Sequence, residues 1–139
     1  MTSPLSGLRV LVIEDEILVS WLLEDMLSEL GCVVAGPAAR IEQALEIVTT
    51  EAIDAAVLDV NLNGRTSYPV ADALTARGVP FVFSTGYDKN SLAEGYRVFP
   101  VIQKPFHRSE LAEALQGLLP QATGAETGTS DPAVPLDAG

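Results

Sequence analysis

The sequence predicts an α/β protein in which five parallel strands form one sheet covered by helices on both faces. Three observations carry this. Short apolar runs alternate with segments of helical period, several of those runs end abruptly at an acid or a hydroxyl, and glycine or proline closes the helical segments. Parallel strands need crossover connections, and right-handed crossovers place helices on both faces.

Residues 8–13 (LRVLVI) are rich in branched side chains and stop at Glu14, Asp15 and Glu16, which reads as a buried first strand with acids at its carboxyl end. Val19, Leu22, Leu23, Met26, Leu27 and Leu30 follow at helical spacing, and Gly31 stops that helix. Residues 32–35 form a second strand, closed by Gly36 and Pro37. Ile41, Ala44, Leu45 and Val48 then line one face of a second helix. Residues 54–58 (DAAVL) make the third strand, and an acid, Asp59, again stands where the apolar run ends. Residues 61–67 (NLNGRTS) have loop chemistry. A third helix runs from about 70 to 77 and meets Gly78. Residues 79–84 (VPFVFS) and 98–102 give the fourth and fifth strands, while a fourth helix over 88–95 rests on weak periodicity alone. Leu111, Ala114, Leu115 and Leu118 give the last helix its apolar stripe, ended by Pro120.

A length of 139 residues suits one domain, and an apolar share of 47% supports a core burying roughly two thirds of the unfolded surface, which excludes a wholly disordered chain. Lys and Arg total 8 against 19 acids, and the net charge of -11 repels phosphate backbones and anionic lipid, so nucleic acid and membrane are not expected partners. The first residues lack the basic start of a secretion signal, no stretch is long enough to span a bilayer, and the lone Cys32 has no partner for an internal disulfide. The expected location is the cytoplasm. Composition divides the chain into an N-terminal extension (1–7), a domain (8–119) and an acidic tail (120–139). The tail holds three prolines, three glycines and three acids with no base and no aromatic, and it is expected to be disordered.

Ligands of such sheets bind at the carboxyl ends of the strands. Glu14, Asp15, Asp59, Thr85 and Lys104 all follow directly on predicted strands, so the topology brings them to one edge. Three carboxylates there repel one another unless a cation sits among them, and oxygen donors without His or Cys favour a hard ion, Mg²⁺. A metal beside an Asp points to phosphoryl chemistry: Asp59 as nucleophile, Lys104 as a point charge on one phosphoryl oxygen, and the Thr85 hydroxyl as donor to another. Each residue alone has a blander reading. Asp15 suits a helix cap, Asp59 a turn with Asn61 and Gly64, Thr85 a turn hydroxyl and Lys104 an ordinary surface. Their joint placement favours the chemical reading, because an Asp ending a buried strand is costly without a partner. His107 reads as a polar residue in the first turn of the last helix, with no catalytic part. Trp21 falls off the apolar stripe of the first helix and should face outward, as a chance surface aromatic or as the anchor for a partner helix.

Taken in order, Glu14-Asp15 after the first strand, Asp59 after the third, Thr85 after the fourth and Lys104-Pro105-Phe106 after the fifth resemble the receiver domain of bacterial two-component response regulators, across residues 8–119. The resemblance implies a flavodoxin-like (βα)5 doubly wound parallel sheet of strand order 2-1-3-4-5. It implies Mg²⁺ held by Asp15, Asp59 and the main-chain carbonyl of Asn61, with Glu14 supporting through water. It also implies phosphorylation of Asp59 by a histidine kinase or a histidine phosphotransfer protein. On that basis the chain is expected to be a single-domain regulator, acting as a relay intermediate, a phosphate sink or an allosteric regulator of a kinase. It would be no enzyme beyond catalysing its own phosphorylation and dephosphorylation, and would signal by protein contacts, a homodimer through the fourth helix and fifth strand among them.

Residues 80–87 (PFVFSTGY) are similar to the Pro-Phe-x-Phe-Ala-Thr-Gly-Tyr signature of a stand-alone receiver subfamily found mainly in alphaproteobacteria, with Ser84 in place of Ala. Glu14 stands where Asp is commoner in receivers. Val101 stands where many carry a switching Tyr or Phe, which leaves Tyr87 either as a replacement switch beside Thr85 or as a half-exposed loop aromatic. Two rival functions remain. An Asp-nucleophile, Mg-dependent phosphohydrolase usually needs a second acid where Asn61 stands, and a phosphate-independent interaction module does not account for the intact Asp59, Thr85 and Lys104.

Overall fold

The computed structural model describes residues 4–86 and 89–119. Strands β1 (Arg9–Ile13), β2 (Val33–Ala38), β3 (Ala55–Asp59), β4 (Phe81–Thr85) and β5 (Val101–Gln103) pair in parallel in the order β2-β1-β3-β4-β5. This is the expected 2-1-3-4-5 arrangement of the flavodoxin-like fold, and its order reverses between β1 and β3. Helices α1 (Ile17–Glu29), α2 (Ile41–Thr50), α3 (Tyr68–Ala76) and α4 (Arg108–Leu118) cover the two faces.

Alternation along the strands sorts the core into two layers. Leu11, Ile13, Leu58, Phe81 and Phe83 pack with residues of α2 and α3, whereas Val10, Val12, Val57, Val82 and Ile102 pack with residues of α1 and α4. Leu5, ahead of β1, is fully buried in the second layer, and its carbonyl accepts from the Cys32 thiol at 3.6 Å. On α1 the core positions are Ser20, Leu23 and Leu27. Leu22, expected on the core stripe, is instead exposed beside Ile17, Leu18 and Trp21. Among the described residues no helix is long and apolar enough to cross a membrane.

Three local features depart from the pattern read in the sequence. β2 runs beyond Ala35 because a bulge inserts one residue: Leu11 pairs with Ala35, but Ile13 pairs with Ala38. The loop after β3 contains a short ladder, Asn61–Leu62 against Arg65–Thr66, closed by Asn63 and Gly64, both at positive φ. Two central residues at positive φ are what a type I′ hairpin turn requires. Between β4 and β5, the expected helix over 88–95 gives way to two 3₁₀ turns, Lys89–Ser91 and Glu94–Tyr96. Weak apolar periodicity does not offset the cost of nucleating a helix there. Tertiary contacts hold the segment instead: Tyr96 stacks on Tyr68 with ring centroids 3.9 Å apart, and Ala93 N–H donates to the Tyr68 hydroxyl at 2.9 Å. The face expected for a homodimer is thus these turns beside β5.

Gly36 makes the bulge at φ +85, where a Cβ would lie 3.0 Å from the Ala38 nitrogen and 3.1 Å from the Val12 carbonyl oxygen. Gly64 has φ +82 with nothing within 4 Å. Gly36→Ala is therefore expected to destabilise the fold by about 2–4 kcal/mol, and Gly64→Ala by about 1–2 kcal/mol, the conformational part alone. Urea unfolding with a common m-value checks the difference.

Candidate functional site

The carboxyl edge of the sheet gathers side chains from three separated strand ends. Glu14 follows β1 directly and its N–H donates to the Ala38 carbonyl at 2.9 Å, so the pairing with β2 extends one step past Ile13. Asp59 is the last residue of β3 and is buried. Its backbone is held from the next turn, because the buried Ser67 hydroxyl donates to the Asp59 carbonyl at 2.5 Å. Lys104 follows β5, with its N–H donating to the Thr85 carbonyl at 2.7 Å and a cis bond joining it to Pro105.

From these anchors the Lys104 ammonium reaches back across the edge. Nζ lies 2.9 Å from Glu14 Oε1, 3.1 Å from Asp59 Oδ2 and 3.7 Å from Glu16 Oε1. Carboxylate oxygens of Glu14, Asp15 and Asp59 all lie within 4.8 Å of one another. Two backbone amides from the loop after β3 also face the acids: Asn61 N–H donates to Asp59 Oδ1 at 3.2 Å and Asn63 N–H to Asp15 Oδ2 at 2.9 Å. The Asn63-Gly64 pair is a hairpin signal in the sequence, but where the hairpin aims its amides is set by tertiary placement. The contact of Glu16 with Lys104 was unforeseen.

Burial and charge compete at this edge. Burial pushes the Glu14 carboxyl up to about 7, against the Lys104 ammonium and the Glu16 N–H, which favour its ionised form; the nearby Asp59 charge adds to the rise. For Lys104, burial disfavours the ammonium, but the Glu14 and Asp59 carboxylates outweigh it and the net shift is upward. Lysine therefore stays charged and the acids remain crowded. Glu14 Oε1 is buried and faces the ammonium as an ion pair without an aligned hydrogen bond, leaving it with no hydrogen-bond partner among the described residues. A buried, under-satisfied carboxylate oxygen within an all-oxygen cluster suits a hard divalent cation, and Mg²⁺ fits this donor set.

The remaining sequence candidates sit as follows. Thr85 ends β4 and is buried. Asn61 begins the hairpin, and its side-chain oxygen accepts from Gly64 N–H at 3.0 Å, so the side chain serves the turn. Trp21 is 56% exposed on α1, outward as expected. Tyr87 lies outside the described residues. His107 caps the start of α4, where its N–H donates to Glu110 Oε1 at 2.7 Å.

A 2-1-3-4-5 parallel sheet whose first, third and fifth strands end in this acid, acid and lysine set defines the class of receiver domains. The response regulator receiver domain model matches residues 10–116, and the chain belongs to that family, whose members act in two-component signalling. It is similar to SdrG from Sphingomonas melonis, at 44% identity and TM-score 0.74, over 81% of this chain and 96% of that one. It is also similar to the receiver domain of a sensor histidine kinase from Pseudomonas aeruginosa, whose structure has a magnesium ion coordinated in the active-site cleft. There the identity is 27% and the TM-score 0.67, over 81% of this chain and 98% of the other. A curated relative, the sensory transduction protein LytT of Bacillus cereus, is 31% identical over 78% of this chain. The chain spans 46% of that relative's length.

Millimolar Mg²⁺ is expected to raise the midpoint of thermal unfolding by a few degrees, since an ion bound to the folded state alone stabilises it. Asp15→Asn, which keeps the shape and removes the charge, is expected to lose most of that shift. Calorimetric scans with and without Mg²⁺ check both.

Proposed function

We propose that the chain accepts a phosphoryl group on Asp59 from a histidine kinase or histidine phosphotransfer protein and signals through contacts of the receiver itself. The observation that carries this is the buried Asp59 carboxylate, 3.1 Å from the Lys104 ammonium and within the Glu14-Asp15 cluster. In the transfer, the phosphorus–nitrogen bond of the donor phosphohistidine breaks, its electron pair stays on the imidazole, and a bond forms to an Asp59 oxygen. Lys104 meets the charge of the arriving group, and Thr85, at the end of the neighbouring strand, donates its hydroxyl to a phosphoryl oxygen. Asp15, Asp59 and the main-chain carbonyl of Asn61 would hold Mg²⁺, with Glu14 supporting through water. Bound there, the ion neutralises charge on the phosphoryl oxygens.

Two features support reading the signal in the receiver's own surface. The similarity to SdrG covers 96% of that chain, and α1 exposes Ile17, Leu18, Trp21 and Leu22, an apolar face on which Trp21 anchors a partner helix. Tyr87 takes the switch role that Val101 leaves unfilled, following Thr85 and the loop between β4 and β5. A phosphohydrolase lacks support, because Asn61 supplies no second acid and its side chain is engaged in the turn.

Incubation with acetyl phosphate and Mg²⁺ followed by intact mass is expected to show one labile phosphoryl adduct on the wild-type chain and none on Asp59→Ala. An adduct that survives Asp59→Ala, or turnover of unrelated phosphoesters without any adduct, contradicts this function.

A further inference from the structure

Among the described residues, two buried side-chain atoms have no hydrogen-bond partner: Glu14 Oε1 and Ser84 Oγ. The first belongs to the cation cluster. Ser84 has been given no task, and its residue is 1% exposed.

The register places it beside the acceptor. Asp59 on β3 pairs directly with Ser84 on β4, and Ser84 in turn pairs with Ile102 on β5. Alternation settles the face, because Phe83 packs with the α2/α3 layer while Val82 and Ile102 pack with the α1/α4 layer, so Ser84 projects toward the latter. Asp59 follows Leu58 of the α2/α3 layer, so alternation turns it to the α1/α4 face with Ser84. Glu14, following Ile13, shares it as well. The row therefore runs Glu14, Asp59, Ser84 across three adjacent strands, with the ion-paired Glu14 on one side of the acceptor and the Ser84 hydroxyl, which has no hydrogen-bond partner among the described residues, on the other. Neighbouring strands lie about 4.7–4.9 Å apart, so paired side chains on one face bring a hydroxyl within reach of a carboxylate.

In the unphosphorylated chain, Asp59 Oδ1 accepts from Asn61 N–H and Oδ2 from Lys104. Phosphorylation moves charge to the phosphoryl oxygens and draws the ammonium after it. We propose, on the basis that Asp59 is the phosphoryl acceptor, that the Ser84 hydroxyl then donates to the Asp59 acyl oxygen and sets the lifetime of the adduct. During hydrolysis, water forms a bond to phosphorus as the phosphorus–Asp59 oxygen bond breaks. The electron pair stays on the Asp59 carboxylate and the water proton leaves with inorganic phosphate or solvent. A donor on that carboxylate stabilises the charge it regains, so Ser84 speeds loss of the phosphoryl group.

Ser84→Ala keeps the fold and removes the donor. Its adduct, made with acetyl phosphate and Mg²⁺ and followed by intact mass after desalting, is expected to last about three- to tenfold longer than wild type. Ser84→Thr, which retains a hydroxyl, is expected to return the lifetime to within about twofold. The thermal midpoint of unphosphorylated Ser84→Ala is expected to stay level or rise, because no existing hydrogen bond is lost. Equal or shorter lifetimes for Ser84→Ala, with wild type forming its adduct normally, overturn the role of Ser84 alone. Absence of any wild-type adduct overturns the acceptor role of Asp59 and this inference with it.

Discussion

Mutual repulsion among Glu14, Asp15 and Asp59 is the constraint around which the molecule is arranged. One carboxylate oxygen of each lies within 4.8 Å of the others, and negative charges that close repel in a partly buried edge. Freely mobile side chains would separate. They are held together because β1 and β3 are adjacent, both are buried on both faces, and each ends at the same edge. The Lys104 ammonium answers part of the charge, and the two amides of the hairpin answer more. What is left over is demand for positive charge, which suits a divalent ion and a reaction that brings phosphoryl oxygens to the same place.

The scaffold behind the edge keeps these groups from relaxing. Ser67 fixes the Asp59 carbonyl, and the next residue, Tyr68, opens α3 and stacks on Tyr96 from the segment between β4 and β5. Tyr96 also donates its hydroxyl to Asp72 Oδ1 at 3.0 Å, and the Tyr68 hydroxyl accepts from Ala93 N–H at 2.9 Å. With Val101 on β5, the segment after β4 is tied to α3 by these aromatics. The turn that holds the Asp59 carbonyl is thus joined through Tyr68 to the segment that carries Ala93 and Tyr96.

Sequence periodicity revealed what depends on burial. Continuous apolar runs marked all five strands, and the acids at their ends pointed to the edge where Glu14, Asp15, Asp59 and Lys104 meet. Features that depend on backbone conformation or on a single tertiary contact were not legible. The bulge at Gly36 looked like a strand end because glycine and proline ordinarily stop strands, and the Asn63-Gly64 pair marks a turn without showing where its amides point. Leu22 matched a helical stripe, but the helix turns Ser20, Leu23 and Leu27 inward and leaves it outside. Ser84 looked like a minor substitution, since only the β3–β4 register shows that it stands opposite Asp59.

A crystal structure of the chain with Mg²⁺ and fluoroberyllate, a mimic of the phosphoryl group, tests the shared cavity most directly. The predicted result is a metal ion against Asp15 and Asp59, with beryllium on an Asp59 carboxylate oxygen and Lys104 Nζ on a fluorine. A metal ion bound away from these acids, or fluoroberyllate on any other residue, would contradict it.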